Sequence, residues 1–418
     1  MSKRHRSMLG IVALGSALAL TLAGCARGGE GTGATDDAAP ASPGITDSSI
    51  ALGITTPLSG PTAGPGTCTV AGITAYFGER NAEGGIEFGD GVTRTVDIEA
   101  LDDAYDPQKA KANYDQLKDS VFAMTSGLGT PTNRAYLEAA IADEVPQVLV
   151  MTGDPIFSDT GESPSQLGFV PIYQNEGLAF GELLVASGDD HKVAILSQND
   201  DFGEGYVEGF KEAVEGADNV EIVEELTYEA TDTAVDGQLT ELAASDADVF
   251  FNAMSITPLV ISSLQKAQQL GWTPSWFLPS NTSSPAAILQ PGGAEAFPGV
   301  YSVSFAKAPA SPAFAEDEDV QTFLASLKEY ADYQDMPAFP HCMWSYMVGA
   351  TLEQAFMEMT EPTRESFMEA LRSITDFQAP LMLEGTAVDT TTDGQPAVSS
   401  VVVQKYNGKG YDTVESFG

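Results

Sequence analysis

Short apolar runs alternate with amphipathic segments along the chain from about residue 45 onward. Apolar and β-branched residues cluster in four predicted strands, at Ser49–Thr55, Thr95–Leu101, Val121–Met124 and Gln147–Met151. Between these runs, apolar residues recur at helical spacing, as they do at Val70, Ile73 and Phe77. Alternating helices and apolar strands predict a parallel sheet that is covered by helices on both faces.

A second series of the same kind follows. Its predicted strands are Lys192–Ser197, Val220–Glu225, Asp248–Ala253 and Ser275–Leu278, and its predicted helices are roughly 203–216, 235–244 and 258–270. Two such series in one chain predict an α/β protein with two doubly wound lobes.

The last section is too short to form a third lobe with its own sheet. It contains the predicted strands Gly299–Phe305 and Val398–Tyr406, the predicted helices Val320–Tyr333, Cys342–Met359 and Glu365–Ile374, and a turn that leads to a final strand. We expect it to return to the two lobes. The predicted first lobe is 45–171 plus about 300–378, and the predicted second lobe is 172–299 plus about 379–418. Several crossovers would form a hinge, with a ligand cleft at the carboxyl ends of both sheets.

The amino-terminal residues are predicted to be a targeting signal. Lys3, Arg4 and Arg6 precede an apolar run that ends in Leu22-Ala23-Gly24-Cys25, which resembles the bacterial lipobox. The resemblance implies cleavage of residues 1–24 and lipidation of Cys25; the alternative is an ordinary secretory signal. Residues 25–44 read as a flexible tether. The expected location is the cell membrane, with the protein lipid-anchored and facing outside the cytoplasm.

The composition restricts the possible functions. The chain has 60 acidic and 19 basic residues, and cleavage of the signal would leave 16 basic residues and a net charge of 16 − 60 = −44. Such acidity argues against a nucleic-acid partner and against docking on anionic lipid. With three Cys and three His, neither a metal site nor a cofactor is expected. GxSxG, HExxH and P-loop motifs are absent, so no catalytic residue is predicted; His341 is interpreted as structural.

Polar turns after predicted strands suggest binding residues. Gly129 and Thr130 precede Pro131, so Thr130 is the expected N-cap of a helix whose N–H groups suit a carboxylate or carbonyl oxygen. The alternative is a plain capped helix. The turn Thr152-Gly153-Asp154 could supply a second wall of the same pocket.

The segment Asn199–Gly205 offers Phe202 as an aromatic face, or else forms an Asx turn with Phe202 in the core. It does not match the GxGxxG motif, because the sixth residue counted from Gly203 is Glu208 and not glycine. Cys68 and Cys342 are either a disulfide or two separate buried thiols.

These segments together resemble the type I periplasmic binding proteins, and in particular the leucine/isoleucine/valine-binding and amide-binding receptors of ABC importers. The resemblance covers about 45–418 and is carried by Leu52–Gly60, Asn81–Ile86 and Asp102–Pro107. It implies two Rossmann-like lobes joined by a three-strand hinge, which close on a small solute. The implied partners are that solute and a membrane permease, and the protein is expected to act as a monomer.

The resemblance also implies a set of ligand-binding residues. Two first-lobe turns would grip a carboxylate or carbonyl, an aromatic residue would cover the ligand, and loops of the second lobe would close the far side. The expected set is Ser59, Gly129, Thr130, Thr152, Gly153, Asp154, Asp201, Phe202, Ser255, Ile256, Thr257 and Ser280.

The chain departs from the amino-acid receptors at two places. They carry a carboxylate after the strand matching Ser275–Leu278, where this chain has Pro279-Ser280-Asn281, and Pro65 is the nearest match to their first aromatic residue. Asp154 or Asp201 could substitute for that carboxylate. The predicted solute is therefore a branched-chain amino acid, an amide, a urea-like solute or a small organic acid. Alternative functions are a membrane-tethered sensor of the same fold, an exported α/β hydrolase and a surface adhesion protein.

Overall fold

The structure is a computed structural model that describes residues 40–159, 161, 164–415 and 417. The predicted signal, Cys25 and most of the predicted tether lie outside these residues. Within them, every helix is too short or too polar to cross a membrane.

The first half of the chain builds a six-stranded sheet. Its strands are β1 (Ser49–Thr56), β2 (Ile86–Glu87), β3 (Thr93–Asp102), β4 (Ala123–Thr125), β5 (Gln147–Val150) and β6 (Gln166–Gly168). Their order is β2-β3-β1-β4-β5-β6. All neighbours are parallel except β2, which pairs antiparallel with β3.

The second sheet has seven strands. They are β7 (His191–Gln198), β8 (Val220–Tyr228), β9 (Val249–Ala253), β10 (Ser275–Phe277), β11 (Val300–Ser304), β12 (Val402–Tyr406) and β13 (Tyr411–Thr413). Their order is β13-β12-β11-β10-β9-β7-β8. The strands β7 to β11 run parallel, and β12 and β13 form an antiparallel edge.

Helices cover both faces of each sheet, as the apolar strands predicted. The helices are α1 (Ala63–Ala82), α2 (Pro107–Leu117), α3 (Thr130–Ala142), α4 (Tyr173–Ser187), α5 (Asp201–Val214), α6 (Asp236–Ala243), α7 (Thr257–Leu270), α8 (Gln290–Gly292), α9 (Glu318–Tyr330), α10 (His341–Glu358) and α11 (Arg364–Leu371). On the first sheet, α1, α9, α10 and α11 pack on one face and α2 and α3 on the other. On the second sheet, α4 and α5 lie opposite α6 and α7. The prediction of two α/β lobes is confirmed.

Sequence reasoning missed helix α4. Gly177 and Gly181 lie within it, and glycine weakens a helical pattern because it lowers helix propensity. Gly177 has a packing role here, since a Cβ at this position would collide with the backbone oxygen of Tyr206 in α5. The same glycines that hide the helix in the sequence therefore let α4 and α5 approach closely.

The chain crosses between the lobes three times: from β6 into α4, after β11, and before β12. The chain was predicted to pass from the first lobe back to the second at about residue 379, but it does so later. Leu381, Val388 and Val398 are buried in the first core, and isolated bridges hold this segment there. It was misplaced because a coil without regular strands or helices gives no hydrophobic period to follow. The strand Val300–Ser304, at the start of the predicted first-lobe return, pairs in the second sheet.

Cys68 in α1 and Cys342 in α10 form a disulfide within the first lobe. Both residues are fully buried. The bond closes a loop with a sequence separation of 274, so it ties α10, from the last part of the chain, to the first helix.

We expect the double variant Cys68→Ser/Cys342→Ser to lose about 2–4 kcal/mol of stability, because the unfolded chain would no longer be cross-linked. Guanidinium unfolding with and without a reductant measures this loss. Reductant should shift the midpoint of the wild type toward that of the variant and leave the variant unchanged. Equal midpoints for the oxidised wild type and the variant would contradict the prediction.

Candidate interlobe binding site

A cavity of about 40 Å³ lies between the two lobes. Its first-lobe wall includes Leu128, Gly129 and Met151, which follow the carboxyl ends of β4 and β5. Its second-lobe wall includes Phe202, Ser255 and Ser280, which follow β7, β9 and β10. The cavity is thus at the edge of both sheets where open α/β folds bind ligands.

The turn at Gly129 needs glycine for two reasons. Its φ is +104°, and a Cβ would lie 2.5 Å from Cε2 of Tyr105. Helix α3 begins at Thr130, so Gly129 is the N-cap and Pro131 is the second helical residue. The prediction that Thr130 caps the helix is wrong, because Thr130 itself has entered the helix and its hydroxyl bonds elsewhere.

The hydroxyls of Thr130 and Thr152 come together, as the sequence suggested for the two turns. They lie 2.9 Å apart, and the hydroxyl of Tyr173 is 2.9 Å from Thr130 and 3.0 Å from Thr152. The backbone N–H of Tyr173 also donates to the carbonyl of Gly153, at 3.0 Å. Tyr173 starts α4 and packs in the second-lobe core, so this buried cluster joins the two lobes.

A buried carboxylate, Glu176, lines the same cavity from the first turn of α4. Its oxygens accept hydrogen bonds from the backbone N–H of Ser280, at 3.0 Å, and from the Ser280 hydroxyl, at 2.7 Å. Burial raises the pKa of Glu176 to about 7, although the Ser280 bonds act in the opposite direction. None of the ion pairs in the described part of the chain includes Glu176.

Four buried polar atoms on the cavity wall have no hydrogen-bond partner among the described residues. They are Oγ1 of Thr62, Oδ1 of Asn281, Nδ1 of His341 and Nε1 of Trp344. Burial lowers the pKa of His341 to about 3, so its ring is neutral at physiological pH. Buried polar groups in proteins are nearly always bonded, so these four atoms are available to ordered water or to a polar solute in the cavity.

Aromatic rings surround the cavity. Phe202 packs against Tyr173 and Tyr206 with ring centroids 4.9 and 5.1 Å apart. It is 2% exposed, and its backbone N–H donates to Asp200 at 3.1 Å, as the Asx-turn alternative predicted. Phe202 also lines the cavity, and its contact with a ligand stays a prediction.

Tyr105 contacts both lobes from a strained turn. Ala104 and Tyr105 have φ values of +50° and +63°, which costs about 1–3 kcal/mol per residue. Asp103 holds the turn by accepting from the backbone N–H of Tyr105 at 2.8 Å and from the hydroxyl of Thr55 at 2.9 Å. Burial raises the pKa of Asp103 to about 6. The ring of Tyr105 packs against the cores of both lobes.

The three residues of the loop Ser255-Ile256-Thr257 lie in different environments. Ser255 lines the cavity and donates to Oε1 of Gln198 at 2.5 Å. Ile256 is buried in the second-lobe core, and Thr257 starts α7. Of the three, only Ser255 is among the lining residues.

Ser59, Asp154 and Asp201 lie away from the cavity wall. Ser59 is exposed and donates to Asp102 at 2.6 Å, which fixes the turn after β1. Arg134 in α3 pairs with Asp154, and its Nη2 is 3.1 Å from Oδ1 of Asp201 in α5. The two aspartates therefore hold a guanidinium at the cleft edge and do not substitute for the carboxylate expected after β10.

Sequence reasoning missed Tyr105, Tyr173, Glu176 and Trp344 and interpreted His341 as structural. For Glu176 a signal existed, because it shares one helical face with Tyr173, Phe180 and Leu184, and all four are buried. A carboxylate among apolar residues at helical spacing marks a buried acid.

Comparison with known proteins gives a family and a fold. A family model described as periplasmic binding protein matches residues 49–410. Curated protein sequences gave no match. A fatty acid ABC transporter substrate-binding protein from Thermomonospora curvata has a TM-score of 0.76 and 23% identity, covering 90% of this chain and 94% of that one.

Two further solved structures share the fold. A leucine-binding protein from Thermotoga maritima has a TM-score of 0.71 and 19% identity, covering 87% of this chain and 97% of its own. An ABC transporter solute-binding protein from R. palustris, solved with benzoate, has a TM-score of 0.71 and 17% identity, covering 88% and 95%.

We expect Asp201→Asn to weaken lobe closure. Arg134 forms two ion pairs, and the one with Asp201, which the substitution removes, joins the two lobes. Both side chains are about 40% exposed, so the effect should be small, up to about fivefold in the closed-to-open ratio. Fluorescence energy transfer between labels on the two lobes measures it. Glu204→Gln, exposed on the same helix, is the charge-matched control; an equal effect of both variants would contradict the prediction.

We expect Glu176→Gln to stabilise the ligand-free protein at pH 8. Folding raises the pKa of Glu176 from 4.5 to about 7, so the folded protein binds the proton more tightly than the unfolded chain. Ionised Glu176 therefore destabilises the folded protein by up to about 3 kcal/mol above pH 7. This destabilisation disappears as the pH falls toward 4.5. Unfolding at pH 8 and pH 5, with Glu182→Gln as control, measures it. A variant less stable than the wild type at both pH values would contradict the prediction.

Proposed function

We propose that this chain, which belongs to the periplasmic binding protein family, is an extracytoplasmic receptor that captures a small nitrogen-bearing solute for an ABC importer. Family membership implies a location outside the cytoplasm and a small-molecule ligand. The importer, the ligand class and lipidation of Cys25 are parts of the proposal.

Glu176 is the observation that carries the choice of solute. Its buried carboxylate faces the cleft without a basic partner, and a desolvated carboxylate is best satisfied by a cation or by strong N–H donors. An ammonium or amide N–H of the solute would supply them. The carboxylate comes from α4, and its bonds to Ser280 place it beside the Pro279–Asn281 turn, where the sequence suggested that no acid was present.

The opposite wall suits a hydrogen-bond acceptor. Nε1 of Trp344 can only donate, and the Thr62 hydroxyl can do so too; both lack a partner among the described residues. Described residues of the cavity wall include no Lys or Arg, so a solute carboxylate or carbonyl would be held by neutral donors. An α-amino acid or a primary amide has both an N–H donor for Glu176 and an oxygen acceptor for the opposite wall.

Proteins of the same fold are named for different solutes, namely a fatty acid, leucine and benzoate. The fold therefore does not determine which solute is bound, and the ligand preference must follow from the residues of the cavity wall. A solute that is only an anion would place its charge in a cavity that already contains Glu176. We therefore favour the leucine-like class over the fatty-acid and benzoate classes.

A thermal-shift screen over amino acids, amides, amines, urea, benzoate and fatty acids tests the proposed function. Ligands that bind only the folded protein raise its melting temperature by mass action. We expect ammonium- or amide-bearing solutes to raise it. If only acids without N–H groups do so, the proposed ligand class is wrong.

For an ammonium solute found in this screen, affinity should fall about tenfold per pH unit below pH 7, since only ionised Glu176 pairs with the cation. Above pH 7 the affinity should level off. Glu176→Gln should bind weakly and lose this pH dependence, whereas Glu182→Gln, exposed on the same helix, should keep it. Calorimetric titrations from pH 5 to 9 measure the dependence, and a flat profile for the wild type would contradict it.

A further inference from the structure

A second cavity, of about 80 Å³, lies beside the interlobe cleft. Ala338, Phe339 and Met343 of the first lobe form one side of it, at the start of α10. Val303 and Tyr411 of the second lobe and Ala308 of the crossover after β11 form the other side. Its walls thus come from both lobes and from the hinge.

The two cavities share part of their walls. Ser280 and Trp344 line both, and Ser280 is the residue that holds Glu176. A solute bound at Glu176 would therefore lie against the same two side chains that border the second cavity. The cleft itself is the smaller of the two, at about 40 Å³.

The two cavities differ in chemistry. The cleft wall carries polar atoms without partners among the described residues, as described above. On the wall of the second cavity, hydroxyls are bonded within the protein: Ser283 donates to the carbonyl of Ser280 at 3.0 Å, Ser304 to that of Ala306 at 3.1 Å, and Tyr411 to that of Ser283 at 2.7 Å. Gln404, Lys409 and Trp344 also line this cavity, but alanine, proline and aromatic carbon makes up most of the surface that an occupant would meet.

We propose that the second cavity is a subsite for an alkyl or aryl group of the solute whose polar end binds in the cleft. The inference rests on the proposed function, because it places that solute's head group at Glu176. An apolar group here contacts Met343 and Phe339 of one lobe and Val303 of the other. It therefore favours the closed arrangement of the lobes as well as affinity.

Straight-chain amines, primary amides and carboxylates with increasing chain length test the proposal by calorimetric titration. For each head group that binds, affinity should rise about fourfold per methylene once the chain reaches the second cavity. Ala308→Leu and Ala338→Leu place an isobutyl group at the cavity wall and should abolish this dependence while leaving the shortest members unaffected. Ala244→Leu, exposed on the second lobe, is the matched control and should behave as the wild type.

The outcomes separate the two proposals. The rank of the head groups tests the proposed function, and the chain-length dependence tests the subsite. If only the carboxylates bind, and if their affinity rises with chain length in the wild type but in neither leucine variant, the ligand class is refuted and the subsite is supported. Amines that bind without any chain-length dependence, or with one that the variants leave intact, would overturn the subsite, as would the absence of binding by all three series.

A crystal structure decides the question if the leucine variants fail to fold. The wild-type protein would be crystallised with the tightest-binding long-chain probe. Alkyl density between Ala308 and Phe339 supports the subsite, and a chain that projects into solvent overturns it.

Discussion

The site depends on a buried carboxylate that has no cationic partner among the described residues. Glu176 is 2% exposed, and removing a charged group from water costs several kcal/mol unless other groups compensate. The two Ser280 bonds and the amino-terminal end of α4 provide part of this compensation. The close packing of α4 on α5 holds the acid at the cleft. A group kept in this state is poorly solvated and therefore gains much from a matching ligand.

Contacts between the lobes replace part of what a ligand would supply. Tyr173 from the second lobe bonds with Thr130 and Thr152, and Arg134 from the first lobe reaches Asp201 in the second. These contacts bring the lobes together around a cavity of only about 40 Å³. A solute shifts the equilibrium further toward this state only by as much as it binds the closed arrangement better than the open one.

The architecture could be predicted from the sequence because strand and helix periods alternate clearly in both lobes. The turns at Gly129 and Thr152 could also be placed side by side, since parallel neighbouring strands end at one edge. The residues that define the chemistry could not be found this way. Tyr173 and Glu176 lie in a helix obscured by its glycines, Tyr105 enters the cleft from a left-handed turn, and Trp344 lies in α10, far along the chain from the other wall residues. Such positions are set by tertiary packing, which the local pattern does not contain.

The acidity of the chain has little bearing on the cleft. Of the acidic residues that the structure describes, all but Asp103, Asp154 and Glu176 are exposed or half-buried, and salt screens charges at the surface. Near the cleft, Asp154 and Asp201 are paired with Arg134, so neither presents a free charge to a solute. Glu176 is the acid on the cavity wall that retains this capacity among the described residues. Ligand preference therefore follows from one desolvated carboxylate and the neutral donors opposite it, because a buried charge acts at short range in a low dielectric while the surface charges are screened.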